Sequence, residues 1–453
     1  MKYPKYSEYK DSGVEWIGQI PVTWSTKKLK YIIQNFIGGG TPSTDNNDYW
    51  TSEGGFPWVT IRDITKSDAI RETERKITAS GLNSKNLTLL PPGTILYSMY
   101  ASVGKVSKLL ITATTNQAIL GLFNRENQVL NDYLKFSLEA FESFVSFLFS
   151  SNTQNNINEE KVKNIILPLP PISEQASITK VLFAEIDLMD NIISRSQEMI
   201  ELLKEKRQAI ITNAVTKGLD PNVPMKDSGI EWIGQIPEHW KIIRIKSVSK
   251  LNPSKSEIKD YTDDTKVPFF PMESIGDDGY LRFTEFRSIY EVIKGYTHFR
   301  NGDVVVAKIT PCFENGKGAI IKGLEPDAGF GSTELMVIRP SSVLNKSFLY
   351  FLTITNFFRN LGEASMQGSA GQKRITEAFI ANFKIGLPPL DEQIHIVQHV
   401  ISEINKIDLL VLKQQKIIEF LKEYKTSLIT QAVTGKIDVR GVTPPITPSD
   451  SLH

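Results

Sequence analysis

Two stretches of the sequence are nearly identical: Asp11 to Trp24 reads DSGVEWIGQIPVTW, and Asp227 to Trp240 reads DSGIEWIGQIPEHW. Eleven of the fourteen aligned positions are identical, and the stretches lie 216 residues apart (227 − 11). Two further pairs lie 218 residues apart: LPPISEQ (169–175) with LPPLDEQ (387–393), and NAVTKGLD (213–220) with QAVTGKID (431–438). Because the offset is close to half the chain, the sequence consists of two copies of one unit.

Two copies of more than 200 residues indicate a two-lobed, pseudo-symmetric protein, because a solenoid would have shorter and more numerous repeats. After the second copy, the next element in the pattern would be DSGVEWIG, which lies near the N-terminus. We therefore expect a circular arrangement, in which the first residues dock where a third copy would begin.

The composition is ordinary for a water-soluble chain of two or three domains: 453 residues, of which 40% are hydrophobic and 23% charged. The only cysteine is Cys312, so no intrachain disulfide can form, which fits a reducing compartment. The start MKYPKYSEYK has no apolar core of a signal peptide, and no apolar run is long enough to span a bilayer. We expect a cytoplasmic protein without membrane contact.

Between the repeats, residues 36–160 and 253–380 diverge but keep a common order of elements. FPWVTIRDI parallels VPFFPMESI, and each copy continues with a glycine turn, a Val/Ile-rich strand, an apolar strand and a helical stretch. The predicted fold class is α+β, with two pseudo-symmetric mixed α/β domains. The predicted boundaries are 1–168 for the first domain, 169–220 for a central helix, 221–386 for the second domain, 387–440 for a C-terminal helix and 441–453 for a tail.

After each LPPxxEQ, about 40 residues lack proline and glycine, which predicts a long helix. Mostly apolar residues alternate at spacings of four and three along positions 189, 193, 196, 200, 203, 207, 210 and 214, and again 218 residues later; the polar exceptions also correspond, Ser196 with Gln414 and Arg207 with Lys425. This is the spacing of a coiled-coil seam. Each helix could pack on its own domain, but identical seams favour two helices packed against each other, and antiparallel packing is the simpler geometry.

Motifs for catalysis are missing from the sequence. There is no G-x-x-x-x-G-K-[ST] loop, no NPPY of an adenine methyltransferase and no well-formed nuclease cluster, and GGGTPST (38–44) is better explained as a flexible loop. His395 and His399 have metal-ligand spacing, but without a third ligand we expect them on an exposed helix face. Cys312 has no paired histidine. We expect no enzymatic activity, metal or cofactor in this chain.

The doubled DSGxEWIGQIPxxW, the paired LPPxxEQ and the two long helices resemble the specificity subunit of Type I DNA restriction–modification systems, over essentially the whole chain. The resemblance implies that each module is a target recognition domain for one half of an asymmetric, bipartite double-stranded DNA site. It implies that the helices separate the modules and dock two modification subunits, which bind S-adenosylmethionine and methylate adenine. Restriction subunits that use ATP and Mg²⁺ to translocate and cut DNA would join the complex.

Base edges are read best by Arg, Lys, Asn, Gln, Ser and Thr side chains on loops. The DNA-binding candidates of the first module are Thr41, Ser43, Arg62, Ser98, Tyr100, Lys105, Asn116 and Gln117. Those of the second are Lys308, Thr310, Asn315, Lys317, Ser332, Thr333, Gln367, Gln372, Lys373 and Arg374.

One other function stays open, and a further one is disfavoured. Composition alone would also allow a two-lobed scaffold that binds only proteins. A self-sufficient methyltransferase fused to a recognition module is disfavoured by the missing catalytic motif.

Overall fold

The computed structural model describes residues 3–125, 127–148, 157–282, 285–368 and 372–442. The chain divides into two compact units. The first comprises Met1–Ser196 with Gln415–His453, and the second comprises Gln197–Gln414. Nearly all of the proposed tail, and residues 369–371 of the loop MQGSAGQKR (366–374), lie outside the described residues.

The first unit begins with short strands and helices and ends in a long helix. Its strands are β1 (Tyr9–Asp11), β2 (Gln19–Pro21), β3 (Ser25–Lys28), β4 (Ile33–Gly38), β5 (Trp50–Thr51), β6 (Phe56–Val59), β7 (Ala69–Ile70), β8 (Arg75–Ile77), β9 (Ile95–Ser98), β10 (Val106–Leu109), β11 (Thr114–Thr115), β12 (Ile119–Asn124) and β13 (Ile166–Leu169). Its helices are α1 (Leu29–Ile32), α2 (Ile61–Lys66), α3 (Ala79–Ser84), α4 (Asn131–Leu148), α5 (Glu159–Lys163) and the start of α6 (Ile172–Lys217), with a 3-10 turn at Asn47–Tyr49.

The second unit repeats this order. Its strands are β14 (Met225–Asp227), β15 (Gln235–Pro237), β16 (Lys241–Arg244), β17 (Ser249–Leu251), β18 (Lys266–Phe270), β19 (Glu285–Ser288), β20 (Thr297–Phe299), β21 (Val304–Ala307), β22 (Gly318–Ile320), β23 (Gly329–Gly331), β24 (Leu335–Pro340) and β25 (Lys384–Leu387). Its helices are α7 (Ile289–Val292), α8 (Lys346–Thr353), α9 (Asn356–Ala364), α10 (Glu377–Asn382) and the start of α11 (Leu390–Val433), with 3-10 turns at Ile245–Ser247, Lys255–Ile258 and Met272–Ser274.

The two modules share most of their sheet topology, as their common order of elements predicts; the first main sheet has one more strand, β7, and the fourth strand of the second sheet is β5 next to β8 in one module and β20 next to β23 in the other. The main sheet has the order β4-β12-β9-β10-β7 in the first unit and β17-β24-β21-β22 in the second. The second sheet contains β11-β6-β8 in the first unit and the corresponding β23-β18-β19 in the second. β6 and β18 lie in FPWVTIRDI and VPFFPMESI, the two stretches that the sequence comparison aligned with each other. The predicted α+β class with two similar modules is therefore confirmed.

The repeated fourteen-residue stretch forms the same hairpin in both units. Asp11 pairs with Gln19 across β1 and β2, and Asp227 pairs with Gln235 across β14 and β15. The aspartate Oδ1 accepts a hydrogen bond from the backbone N–H two residues on, at 2.9 Å in both copies, which closes an Asx turn. Gly13 and its counterpart Gly229 adopt positive φ values of 68° and 66°, which explains why glycine is repeated there.

The two long helices pack antiparallel to each other, as predicted. In the first unit the Lys425 ammonium lies 3.0 Å from the Asp190 carboxylate, and in the second the Arg207 Nε lies 3.8 Å from Asp408 Oδ1. The residue numbers in each pair add up to 615 (190 + 425 and 207 + 408). A constant sum means that the numbers rise along one helix as they fall along the other, as in an antiparallel pair. All sixteen predicted seam positions are buried or half-buried. The seam is therefore the buried face of each helix.

Both helices end against the tryptophan of a repeated hairpin. Gly218 follows α6 and lies against Trp240, whereas Gly435 follows α11 and lies against Pro21 and Trp24. The backbone N–H of Asp438 also donates to the carbonyl of Pro4, at 2.8 Å. Within the first unit, the N-terminal residues thus dock where a third copy would begin, as the sequence predicts.

Among the described residues, no helix is long and apolar enough to cross a membrane.

Candidate nucleic-acid interface

In the first module, the loops after β4, β6 and β11 converge at one edge of the second sheet. Gly40 donates its backbone N–H to the carbonyl of Thr115 at 2.9 Å, and Asn116 donates to the carbonyl of Val59 at 3.0 Å. A Cβ atom on Gly39 would lie 2.1 Å from the Thr115 carbonyl oxygen, so only glycine permits this approach. The loops therefore form one surface.

Two tryptophans fix the loop that carries the first candidates. The indole N–H of Trp58 donates to the carbonyl of Gly40 at 2.9 Å, and that of Trp50 donates to the carbonyl of Ser43 at 3.0 Å. The Trp50 and Trp58 rings pack edge to face, 5.0 Å apart between centroids. This bracing holds the 40–43 loop in place and leaves the Ser43 side chain exposed.

The structure brings together four of the first module's candidates. The side chains of Thr41 and Gln117 share a hydrogen bond. Ser43 continues from Thr41 along the same loop. Asn116, beside Gln117, uses Oδ1 to accept the backbone N–H of Ala118 at 3.0 Å, which closes the turn at this edge.

The other first-module candidates have different surroundings. Arg62 is exposed in α2 and forms an ion pair with Glu74 at 3.3 Å, and Lys105 pairs with Glu142 at 2.7 Å. Tyr100 is 37% exposed in the turn after β9. Ser98 is fully buried, and its hydroxyl bonds to the carbonyl of Ser102 inside that turn. The burial of Ser98 does not support a contact between its side chain and DNA.

In the second module, backbone hydrogen bonds place Gln367, Lys373 and Arg374 beside the strand end at Lys308. Gln367 and Arg374 exchange backbone hydrogen bonds of 3.0 and 2.9 Å. Thr310 donates its backbone N–H to the carbonyl of Lys373 at 3.0 Å, and its hydroxyl accepts the N–H of Lys373 at the same distance. Five candidates thus lie in one row: Lys308, Thr310, Gln367, Lys373 and Arg374.

The remaining second-module candidates have other surroundings. The Ser332 hydroxyl accepts the backbone N–H of Glu334 at 3.2 Å, and the Lys317 ammonium donates to the carbonyl of Met272 at 3.3 Å. The exposed side chains are those of Asn315, Thr333 and Gln372.

Glu334 is a residue of this surface that sequence reasoning missed. Its carboxylate binds the Arg374 guanidinium through two bonds, Nε to Oε2 at 2.8 Å and Nη2 to Oε1 at 2.9 Å. Its hydrogen bonds from Arg374 hold the pKa of Glu334 below its ordinary value, so the carboxylate stays ionised near neutral pH. An acidic side chain is not among the residue types that commonly read base edges, and no sequence signal links Glu334 to Arg374, 40 residues away.

Matching backbone hydrogen bonds show that the two surfaces occupy the same place in the fold. Asn116 to Val59 (3.0 Å) corresponds to Ser332 to Phe270 (3.1 Å). Met99 to Ala118 corresponds to Lys308 to Glu334, and both bonds measure 2.8 Å. The framework is common, while the side chains that it presents differ.

The histidines that sequence reasoning examined as metal ligands lie apart from these surfaces. His395 and His399 are exposed on α11, as predicted. Within the described ranges, no group of three or more His, Cys, Asp or Glu side chains could hold a metal ion.

Comparison with known proteins identifies a family for both halves. The family model described as Type I restriction modification DNA specificity domain matches residues 21–202 and 237–433. The EcoEI specificity subunit of Escherichia coli is 36% identical over 244 residues, which cover 53% of this chain and 37% of that protein. The chain thus spans little more than a third of the length of that relative.

A full-length relative and two solved structures agree with this match. The MjaVIII specificity subunit of Methanocaldococcus jannaschii is 24% identical over 431 residues, which cover 94% of this chain and 95% of that protein. A chain solved in work on assembly and conformational transition of the type I R-M system superimposes with a TM-score of 0.68, 16% identity and coverage of 94% and 99%. The HsdS subunit from Thermoanaerobacter tengcongensis gives a TM-score of 0.54, with 16% identity and coverage of 92% and 98%. The structural likeness supports the fold.

Proposed function

The chain belongs to the family of the Type I restriction modification DNA specificity domain, and from this premise we propose that it reads an asymmetric, bipartite DNA site. Each module would read one half of the site through the loop surface described above. Because the two surfaces carry different side chains, the two half-sites would have different sequences.

One observation supports this proposal most directly: the modules share their hydrogen-bonded framework but not their exposed loop residues. A protein that binds two different half-sites needs the same loop placement twice with different base-reading groups. In a two-lobed scaffold for proteins, the other function that the sequence leaves open, nothing would require the differences to concentrate in converging polar loops.

We further propose that this chain supplies specificity and that partner subunits supply chemistry. Two modification subunits with S-adenosylmethionine would dock on the repeated regions, one per copy. Restriction subunits would bring ATP and Mg²⁺. The net charge of +1 fits this division, because partners that enclose the DNA would neutralise many of its phosphates.

Methylation mapping tests the proposal. The chain is expressed with its modification subunits in a host without other adenine methyltransferases, and N6-methyladenine is mapped by single-molecule sequencing. We expect one bipartite motif that disappears when the gene for this chain is absent. Replacing residues 36–160 with those of a relative should change one half of the motif, and replacing 253–380 should change the other. Methylation without a bipartite motif, or both halves changing in one exchange, would contradict the proposal.

A further inference from the structure

We propose that Arg374, oriented by Glu334, reads a guanine in the half-site of the second module, with Glu334 as the positioning residue. This inference rests on the proposed function, since it assumes that the module contacts base edges. It names the base and the side chains responsible, which the family assignment does not.

The guanidinium of Arg374 is held in one orientation. Nε and Nη2 donate to the two oxygens of Glu334 at 2.8 and 2.9 Å, and Nη1 donates to the carbonyl of Gln372 at 3.3 Å. The Arg374 side chain is nevertheless 41% exposed. A planar group fixed along one edge and open to solvent elsewhere is preorganised for a ligand.

The Arg374 guanidinium still has free N–H donors for a ligand. A guanidinium has five N–H groups, one on Nε and two on each terminal nitrogen. Glu334 and the Gln372 carbonyl accept three of them. One N–H therefore remains on each terminal nitrogen of Arg374. These two N–H groups offer a pair of donors for the O6 and N7 acceptors of guanine in the major groove.

The local charge favours a base over a phosphate. The Glu334 carboxylate neutralises Arg374 and would repel a phosphate oxygen brought to the same guanidinium. A guanine edge carries acceptors without a net charge and is not repelled in this way. The exposed Lys373 next to Arg374 has no such carboxylate partner among the described residues and is better suited to the phosphate backbone.

The backbone around the pair is fixed as well. Lys308 donates to the carbonyl of Glu334 at 2.8 Å and its own carbonyl accepts from Ile375 at 2.9 Å, so one strand end carries both members. The backbone of Arg374 also forms isolated antiparallel β-bridges with Ile309 and Gln367. In the first module, Ala118 stands at the position of Glu334, so this device belongs to the second half-site alone.

The test is methylation mapping of the full complex with single variants of this chain. Arg374→Lys keeps the positive charge but removes the planar guanidinium with its paired N–H donors. Glu334→Gln keeps the size of the side chain but weakens the hydrogen bonds that orient the Arg374 guanidinium. We expect Arg374→Lys to lower discrimination about ten-fold to a hundred-fold at one G·C pair of the second half-site. Glu334→Gln should relax the same position less, and the first half-site should stay unchanged in both variants.

Arg300→Lys is the matched control. Arg300 lies in the same module, its side chain is also 41% exposed, and it pairs with Asp327 at 3.3 Å. It precedes β21, whereas Lys308 follows that strand, so it lies at the opposite strand end. This variant should leave the motif unchanged, and the melting temperatures of all three variants identify any that fails to fold.

Two outcomes would overturn the inference while leaving the proposed function intact. The wild-type motif could lack a G·C pair that responds to Arg374→Lys in the folded complex. Alternatively, the folded variants could lose methylation evenly over all sequences with a smaller salt dependence, which would make Arg374 a phosphate contact. Absence of any bipartite motif with the wild-type chain would instead contradict the proposed function itself.

Discussion

At the scale of residues, the two copies of one buried tryptophan have different partners. The Trp240 indole N–H donates to Glu392 at 3.0 Å, and His239 contacts the same carboxylate at 2.7 Å. In the first unit, Glu174 instead accepts the Tyr6 hydroxyl at 2.5 Å, and the buried Trp24 N–H has no acceptor among the described residues. In the first unit, Tyr6 of the N-terminal segment thus binds Glu174. In the second unit, the equivalent Glu392 binds Trp240 and His239 of the repeated stretch instead.

The repeated glutamine of LPPxxEQ explains why that motif occurs twice. Gln393 is fully buried; its Oε1 accepts the backbone N–H of Asn345 at 2.7 Å, and its Nε2 donates to the carbonyls of Val343 and Pro388 at 3.0 and 2.9 Å. Gln175 makes the corresponding three bonds, each at 2.9 Å, with Leu130, Gln128 and Pro170. Each glutamine fastens the start of a long helix to its module.

Replacing that glutamine should be costly. Gln393→Leu would leave buried backbone groups without partners, so we expect a loss of about 2–4 kcal/mol of unfolding free energy. Urea unfolding followed by tryptophan fluorescence measures it. Gln398→Leu, at an exposed position of the same helix, is the control and should change stability little. Equal effects of the two substitutions would show that the buried bonds contribute nothing specific.

A buried histidine should make the second unit sensitive to acid. Burial is the main cause that lowers the pKa of His298 below its usual 6.5, with the nearby Arg339 contributing, while the Gly329 carbonyl and the carboxylates of Glu257 and Asp303 oppose it. The unfolded chain therefore binds a proton at a higher pH than the folded chain does. Stability should be full above about pH 6.5 and should fall as the pH drops below that value.

Unfolding midpoints in urea at pH 7.5 and pH 5.5 test this expectation. His298→Phe, which places an aromatic ring next to Phe330, should reduce the difference between the two midpoints. The exposed His395 gives the comparison, since His395→Phe should leave the difference unchanged. A pH dependence that persists undiminished in His298→Phe would assign it to other groups.

Sequence reasoning located the polar loops better than the roles of their residues. It placed Thr41 and Gln117 in the same set, and the structure bonds them to each other. Spacing could not reveal that Ser98 points into its own turn, because that depends on how the turn closes in three dimensions. Nor could it reveal the pairing of Glu334 with Arg374, which are 40 residues apart.

At the scale of elements, the long helices were the most predictable part of the fold. Their 3.5-residue periodicity is a local property of the chain, and it places the buried face correctly. The sequence did not show that each compact unit contains one part of both helices, since the boundaries fall at Ser196 in α6 and Gln414 in α11. That division depends on contacts distant in sequence.

The helix ends offer a matched pair of glycines. Gly218 and Gly435 have φ values of 76° and 69°, so a side chain at either position costs about 1–2 kcal/mol of backbone strain. A Cβ atom on Gly435 would also lie 2.4 Å from Pro21 Cδ, whereas on Gly218 its nearest neighbour is Trp240 at 3.3 Å. Gly435→Ala should therefore destabilise its unit more than Gly218→Ala, by about 1–3 kcal/mol.

Differential scanning calorimetry of the two single variants compares them directly. The expected order is a larger fall in melting temperature for Gly435→Ala. The reverse order would mean that the N-terminal hairpin shifts away from α11 at little cost, and that the docking of the N-terminus is loose.

At the scale of the whole molecule, two repeats and two continuous helices lead to one further expectation, that the helices set the distance between half-sites. Since the register is antiparallel, a change in length must enter both helices at the same level to keep their pairing. Glu205 and Leu410 satisfy this condition, because 205 + 410 also equals 615.

Inserting four residues beside Glu205 and four beside Leu410 should therefore lengthen the helix pair by about 6 Å. An insertion of four residues is a stutter: it adds one more spacing of four to the seam and keeps the later apolar positions on the same face of the helix. The helices should therefore still pair. Since base pairs are spaced about 3.4 Å apart, the preferred gap between half-sites should grow by one or two base pairs. Both half-site sequences should stay the same, because no recognition loop is altered.

Methylation of a plasmid library with all spacer lengths measures the preferred gap. Insertions of five residues at the same two places are the control for folding, because they break the seam and should melt at a lower temperature. If the four-residue variant folds as stably as the parent and still prefers the parent gap, the helices do not determine the spacing. The distance would then have to come from the partner subunits that hold the DNA.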